Sequence, residues 1–193
     1  MLGFQPHIKL LHDWTTLIGR VTDVAQHFVI NQRYRDHILY ESGASVVAEL
    51  PDGGWISKSG PSQDFFVLGG IPETELLDKF FNHTFPELTF TPATICWSSG
   101  NVPRHRDSIK NGQCSFVYPI HDNSGTGVVY DSESDQVYTY GTQADVPIII
   151  NITKEHEVKI TDPRIWFSIH MHEDIEKVKK VFDKLSKYQY TIQ

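Results

Sequence analysis

The chain has 193 residues, of which 39% are hydrophobic and 12% aromatic, a composition typical of one globular domain with a sizeable core. Its formal net charge of −7 and pI of about 5.7 argue against a nucleic-acid-binding surface, which would be basic. The longest apolar stretch, residues 146–150, is too short to span a lipid bilayer, so no membrane partner is expected.

Residues 1–88 are predicted to be a helical N-terminal support region. Apolar side chains recur at helical spacing over residues 13–29, which predicts an amphipathic helix. Residues 45–50 predict a short strand, residues 51–54 a turn, and the Gly- and Ser-rich segment 53–61 a loop. A second helix is predicted over residues 71–83, with Pro72 near its start and acidic Glu73 and Glu75 in its first turn.

From residue 89 the pattern changes to short runs that are rich in Val, Ile, Thr, Tyr and Phe and are separated by turns. They predict eight strands, at residues 89–98, 104–107, 113–120, 127–131, 136–140, 148–153, 156–160 and 165–171. Closely spaced strands of this kind indicate a β-sandwich or a small barrel. Residues 174–187 then predict a closing amphipathic helix. We therefore interpret 1–193 as a single domain with a β core at 89–171 and a C-terminal helix and tail at 172–193.

The two cysteines, Cys96 and Cys114, are too few for a disulfide framework. The N-terminus has no basic segment followed by an apolar run, so no secretory signal is visible. Together these features predict reduced thiols in a cytoplasmic protein.

Two histidines and one aspartate form the most informative pattern in the chain. In an extended segment, residues two apart point to the same face, so His105 and Asp107 can converge on one ion. His156 opens a later predicted strand and is the candidate third ligand. Two imidazoles and a carboxylate leave metal positions open for substrate and oxygen, and the same donors also suit Zn(II) or Mn(II). A second His-x-Asp, at His172, has no histidine after it.

Arg164 follows the second histidine and opens a strand whose polar face carries Trp166, Ser168 and His170. If that face lines a barrel interior, Arg164 is a buried charge, which is costly unless it is paired. A bound dicarboxylate would pair it. The alternative is a structural ion pair, for example with Asp162.

The order His-x-Asp, long gap, His, short gap, Arg resembles the Fe(II)/2-oxoglutarate-dependent dioxygenases. The resemblance implies a mainly β fold with flanking helices around a double-stranded β-helix (jelly-roll, cupin-like) core. It also implies Fe(II) at His105, Asp107 and His156, with 2-oxoglutarate and O2 as co-substrates. Arg164 would bind the distal carboxylate of 2-oxoglutarate, helped by a hydroxyl such as that of Ser168 or Thr153.

Other positions carry open alternatives. The segment 113–120 is similar to the strand after the metal motif in small microbial and viral members, some of which have asparagine where this chain has Val117. Tyr118 either hydrogen-bonds a co-substrate carboxylate or belongs to the core. Thr94, Trp97 and Trp166 are candidate pocket-lining residues, with core packing as the alternative for the first two.

The resemblance favours a hydroxylase of an amino acid, peptide, protein side chain or small metabolite. Nucleic-acid demethylases of the family usually carry a second arginine six positions after the first, where this chain has His170. Two other classes remain as alternatives: a cupin-like metal-dependent enzyme or isomerase that does not use 2-oxoglutarate, and a non-enzymatic β-sandwich binding module. The sequence leaves the oligomeric state open.

Overall fold

The structure is a computed structural model. It describes residues 1–30, 38–42, 45–50, 53–58, 65–121, 125–184 and 189–191. Three sequence predictions, the turn at 51–54, the loop at 53–61 and the closing helix at 174–187, fall partly outside these residues.

In the described residues, three α-helices flank the sheets: α1 (Thr15–Ile30), α2 (Pro72–Thr84) and α3 (Ile175–Lys184). Each agrees with a helix predicted from the sequence. Pro72 starts α2, where its missing N–H costs nothing. Thr74 caps the helix, because its hydroxyl oxygen accepts from the Ile71 backbone N–H at 3.2 Å. No helix in the described part of the chain is long and apolar enough to cross a membrane.

The strands of the β core, β7–β14, match the eight predicted ones. They are β7 (Thr94–Ser98), β8 (Val102–His105), β9 (Cys114–Pro119), β10 (Thr126–Asp131), β11 (Gln136–Gly141), β12 (Ile148–Asn151), β13 (Glu155–Lys159) and β14 (Arg164–Met171). Seven further strands are β1 (Gly3–Phe4), β2 (Lys9–Leu11), β3 (Ile38–Ser42), β4 (Ser45–Glu49), β5 (Trp55–Lys58), β6 (Phe65–Gly69) and β15 (Gln189–Thr191).

The eight core strands alternate between two antiparallel sheets. The larger sheet contains the neighbours β12-β9-β14-β7, and the smaller sheet has the order β11-β10-β13-β8. Consecutive strands cross from one sheet to the other except at the β10–β11 hairpin. This winding is the double-stranded β-helix, so the predicted fold class, mainly β with flanking helices, is confirmed.

The description of residues 1–88 as a helical support region needs correction. Strands β6, β5, β4 and β3 extend the larger sheet outward from β7, and β1 pairs with β12 on the opposite side. Strand β5 also lies inside the segment predicted as a loop. Its local composition is a poor strand signal, but pairing with both neighbours outweighs that weak local preference. The domain boundaries drawn from the sequence stay a prediction.

The main hydrophobic core lies between the helices and the outer face of the larger sheet. Along β14, Ile165, Phe167, Ile169 and Met171 are buried in this core. Phe116 of β9 packs against Phe81 of α2 and Phe182 of α3, with ring centroids 4.8 Å and 6.2 Å away. The opposite face of the same strands is left to line the interior of the barrel.

We predict that Phe116→Ala lowers the free energy of unfolding by about 3–5 kcal/mol, because it leaves a cavity where two helices meet the sheet. Val137→Ala is the matched control, since Val137 is 57% exposed and its truncation should cost within about 0.5 kcal/mol. Urea denaturation measures both. Equal losses in the two variants would contradict this placement of the core.

Candidate metal centre

Two neighbouring strands of the smaller sheet bring the two histidines together. His105 ends β8, His156 lies in β13, and the two residues are direct antiparallel partners. Their ring centroids are 4.2 Å apart at an interplanar angle of 53°. Asp107 follows the end of β8, and its backbone N–H donates to the Ile152 carbonyl at 3.0 Å. The backbone pairing therefore places all three side chains on one face.

The three side chains form a cluster whose ligand atoms all lie within 4.8 Å of one another. One Asp107 oxygen, Oδ1, lies 3.7 Å from His105 Nε2, and the other, Oδ2, lies 3.8 Å from His156 Nε2. With metal–ligand bonds of about 2.1 Å, two atoms that share an ion are separated by roughly 3–4 Å. The spacing therefore fits a single metal ion.

Hydrogen bonds orient both imidazoles toward that position. His105 Nδ1 lies 2.7 Å from the Pro103 carbonyl, and His156 Nδ1 lies 3.0 Å from the Lys154 carbonyl. A carbonyl oxygen only accepts, so each Nδ1 carries the hydrogen and each Nε2 presents its lone pair to the site. Burial lowers the pKa of His156, partly opposed by its hydrogen bond to Lys154, which favours the neutral ring that binds metals.

A cavity of about 240 Å³ between the two sheets contains this cluster. Residues from both sheets and from the extension strand β6 line it. Apart from the three candidate ligands they are Phe65, Val67, Thr94, Cys96, Val102, Ser115, Val117, Tyr140, Ile150, Ile152, Val158, Arg164, Trp166, Ser168 and His170. The wall is mostly apolar with a few polar groups, as is usual for sites that bind small molecules.

Arg164 is the only arginine or lysine among the described residues that line the cavity, and it is only 2% exposed. Its guanidinium stacks on the Trp166 ring, with Cζ 3.8 Å from the ring centroid. Its Nε and Nη1 are buried, and neither Asp162 nor any other described residue accepts a hydrogen bond from them. Burial lowers the pKa of Arg164 to about 10, so the side chain is still a cation at neutral pH. These unsatisfied donors fit an anionic ligand in the cavity.

Hydroxyl groups surround the same space. Ser168, one of the predicted co-substrate residues, lies in the cavity wall with its Oγ 3.1 Å from that of Ser115. Thr94 also lines the cavity and donates its hydroxyl to the Ser168 carbonyl at 3.3 Å. Trp166 lines it as the sequence suggested.

Tyr118 and Trp97 lie elsewhere, which corrects two site predictions. The Tyr118 hydroxyl donates to Asp145 at 2.9 Å, and the ring is part of the core under the helices. Trp97 packs against Phe66 in the same core, with ring centroids 5.5 Å apart. Each is adjacent in sequence to a cavity residue, Val117 and Cys96, and side chains of adjacent strand residues point to opposite faces.

The sequence reasoning missed Ser115 and Tyr140. Ser115 precedes Phe116, which is on the core face, so the alternation along β9 was the available signal. Tyr140 interacts electrostatically with Arg164, and burial raises its pKa, so it carries a neutral hydroxyl beside the cation. Nothing in the local sequence distinguishes Tyr140 from Tyr138, because residues two apart share a face of β11 and only the position along the strand decides which one reaches the cavity.

His170 is a further imidazole in the cavity that does not belong to the metal cluster. Its Nδ1 donates to the Asn111 carbonyl at 3.2 Å, and burial lowers its pKa. The turn after Asp107 ends at Gly112, whose φ of 129° disfavours other residues. A Cβ at this position would also lie only 3.0 Å from the His170 Cβ. The turn that follows the metal motif thus packs directly on His170.

No protein-family model and no curated protein matches the chain. Among solved structures it is similar to an oxidoreductase of the 2OG-Fe(II) oxygenase family from Burkholderia pseudomallei, at 15% identity and a TM-score of 0.46, over 58% of this chain and 70% of that one. It is also similar to an oxalate decarboxylase from Lactobacillus farciminis, at 16% identity and a TM-score of 0.38, over 67% of this chain and 31% of that one. A Bacillus subtilis oxalate decarboxylase matches at 12% identity and a TM-score of 0.38, over 69% of this chain and 27% of that one. The chain spans less than a third of either decarboxylase. These likenesses are too distant to indicate function, and the fold assignment rests on the strand order.

The buried histidines predict how the metal-free protein responds to pH. Because the pKa values of His156 and His170 are lowered from the ordinary 6.5, the unfolded chain binds more protons than the folded one at mildly acidic pH. The stabilisation is fully present above about pH 6.5 and is lost as the pH falls through the lowered pKa values. Urea denaturation over this range should show the free energy of unfolding rising with pH, and His170→Gln should flatten the slope. Identical slopes in both proteins would contradict the assignment.

Proposed function

We propose that the protein is an Fe(II)- and 2-oxoglutarate-dependent dioxygenase that hydroxylates an amino acid, a peptide, a protein side chain or a small metabolite. The observation that carries the proposal is the presence of a buried, unpaired Arg164 in the same cavity as His105, Asp107 and His156. A metal site alone would fit many enzymes. A metal site that shares its cavity with an unsatisfied guanidinium favours a co-substrate with one end for the metal and a carboxylate at the other.

Arg164 and its neighbours would bind and orient the distal carboxylate. The Nε and Nη1 donors of Arg164 supply charge-assisted hydrogen bonds, and the Trp166 ring holds the guanidinium plane in place. The hydroxyls of Ser168 and Tyr140 are further donors in the same cavity. Val117 stands where some family members carry asparagine, so these hydroxyls are the proposed replacements for that amide.

His105, Asp107 and His156 would hold the Fe(II). Three protein ligands on one side leave coordination positions open toward the cavity. The chemistry supplied by Fe(II), 2-oxoglutarate and O2 is oxidative decarboxylation to succinate and CO2, coupled to insertion of one oxygen atom into a substrate C–H bond. The apolar wall, with Phe65, Val67 and Trp166 among its residues, would limit water around the reacting atoms.

The proposed substrate is a small molecule, a peptide or a protein, and not a nucleic acid or a membrane lipid. The chain carries a net charge of −7, and at the second-arginine position of nucleic-acid demethylases it has His170, which donates to the Asn111 carbonyl. The proposed compartment is the cytoplasm. Cys96 and Cys114 are buried free thiols whose pKa values are raised by burial to about 12, so both are unreactive.

We expect His156→Ala, and likewise His105→Ala or Asp107→Ala, to abolish Fe(II)-dependent formation of succinate. Anaerobic titration of the native protein with Fe(II) and then 2-oxoglutarate should produce a visible charge-transfer band that these variants lack. If calorimetry shows that the native protein binds Fe(II) but no band appears with 2-oxoglutarate, the cupin-like alternative is favoured. If it shows neither, the non-enzymatic binding module is favoured.

We expect Arg164→Met to weaken 2-oxoglutarate binding by about 2–5 kcal/mol, since it removes the cationic partner of a buried carboxylate. The same change should leave the free energy of unfolding of the ligand-free protein unchanged or raise it, because a buried cation without a partner is lost. Calorimetric titration and urea denaturation measure the two effects. Lys184→Met, at a 66% exposed side chain at the end of α3, is the control that should affect neither. Native affinity in the Arg164 variant would remove this residue from the site.

A further inference from the structure

The strand that carries His105 is weakly anchored by its own backbone. Strand β8 has four residues and lies at the edge of the smaller sheet, so it pairs with β13 alone. Its register partners are His105 with His156 and Val102 with Val158, with an irregularity between the two pairs. A short edge strand with an irregular ladder specifies its register poorly, yet the metal cluster requires His105 to lie opposite His156.

Side chains on the reverse face of these strands connect them. Arg104 and Arg106 alternate with His105 and Asp107, and Glu155 directly precedes His156. One carboxylate oxygen of Glu155, Oε2, accepts from Arg104 Nε at 2.9 Å and also from Arg104 Nη2. The other oxygen, Oε1, lies 3.7 Å from Arg106 Nη2. A single carboxylate thus contacts two residues that flank the metal ligands.

Arg104 is also held from its other side. Its guanidinium lies over the Tyr130 ring, with Cζ 4.0 Å from the ring centroid. The Tyr130 hydroxyl in turn donates to Glu157 at 2.7 Å. Tyr130 lies on β10, the other neighbour of β13, so the contacts of Arg104 cross three strands of the smaller sheet. A planar guanidinium fixed by a carboxylate and a ring has little rotational freedom.

We propose that Glu155 and Arg104 act as a positioning pair for the metal centre, holding β8 in the register that presents His105 to His156 and Asp107. The inference rests on the metal half of the proposed function and needs nothing from 2-oxoglutarate. Both side chains are about a third to a half exposed (32% for Glu155 and 46% for Arg104), and exposed ion pairs contribute little to overall folding stability. The effect of the pair is therefore local, on the strand that carries a ligand.

A positioning role and a purely electrostatic effect predict opposite changes in metal affinity when the charge of Arg104 is removed. Removal of a positive charge beside a divalent cation should tighten metal binding if charge alone matters. If Arg104 positions the strand, the same removal should weaken metal binding. Removal of the Glu155 charge should weaken metal binding under either explanation, so only the Arg104 variant distinguishes the two.

The test measures the dissociation constant of Co(II) without co-substrate, by visible absorption and calorimetry, at a temperature where circular dichroism shows every variant folded. Arg104→Gln and Glu155→Gln remove the two members of the pair, and their double variant completes a cycle. Glu87→Gln is the control, because it makes the same change at a 50% exposed carboxylate that pairs with Lys184 of α3 and has no part in the contacts of Arg104.

We expect Glu155→Gln to raise the Co(II) dissociation constant by about tenfold, as other outer-sphere changes at metal sites do, and Arg104→Gln to raise it several-fold despite its lost charge. The double variant should bind no more weakly than Glu155→Gln, and Glu87→Gln should stay within about twofold of native. Native or tighter binding by Arg104→Gln overturns the inference alone. Failure of the native protein to bind Co(II) overturns the proposed function and the inference together. If Glu155→Gln does not fold, the Arg104 variant still decides.

Discussion

The jelly-roll strands of the larger sheet are buried on both faces. One face packs under the helices, and the other lines the cavity of the candidate metal centre. Strand β14 satisfies both by strict alternation: Ile165 and Phe167 enter the core, whereas Arg164 and Trp166 enter the cavity. A shift by one residue would exchange the two sets and place a guanidinium under the helices. The alternation therefore determines both the stability of the sheet and the chemistry of the cavity.

That division has a thermodynamic cost at Arg164. A cation with two unsatisfied donors in a buried position destabilises the ligand-free fold, and the cation–π contact with Trp166 offsets only a part of this. Natural proteins retain such groups where a ligand later satisfies them. The cavity thus combines a destabilising cation in the larger sheet with a preformed group of candidate metal ligands in the smaller one.

The sequence predicted the β core well because its strands are short, separated by turns and rich in β-favouring residues. It also assigned the correct faces of β14, since Arg164 and Ser168 differ so clearly from Ile165 and Phe167. It could not do so for β7 and β9, whose two faces are both mainly buried: Trp97 and Tyr118 look as suitable for a pocket as Cys96 and Ser115. It missed the extension strand β5 because that strand depends on pairing with its neighbours in the sheet. The pairing of His105 with His156 likewise depends on long-range register, which no local pattern encodes.

The candidate metal ligands and Arg164 belong to different sheets, and this arrangement constrains what can lie between them. His105 and His156 project from the smaller sheet, and Arg164 projects from the larger one into the same cavity. Packed sheets lie about 10 Å apart, and the side chains on each inner face fill much of that distance. The packing of the two sheets therefore determines the space that remains between their inner faces. A ligand that contacts both Arg164 and the candidate metal ligands must therefore carry polar groups at both ends, as the proposed dicarboxylate co-substrate does.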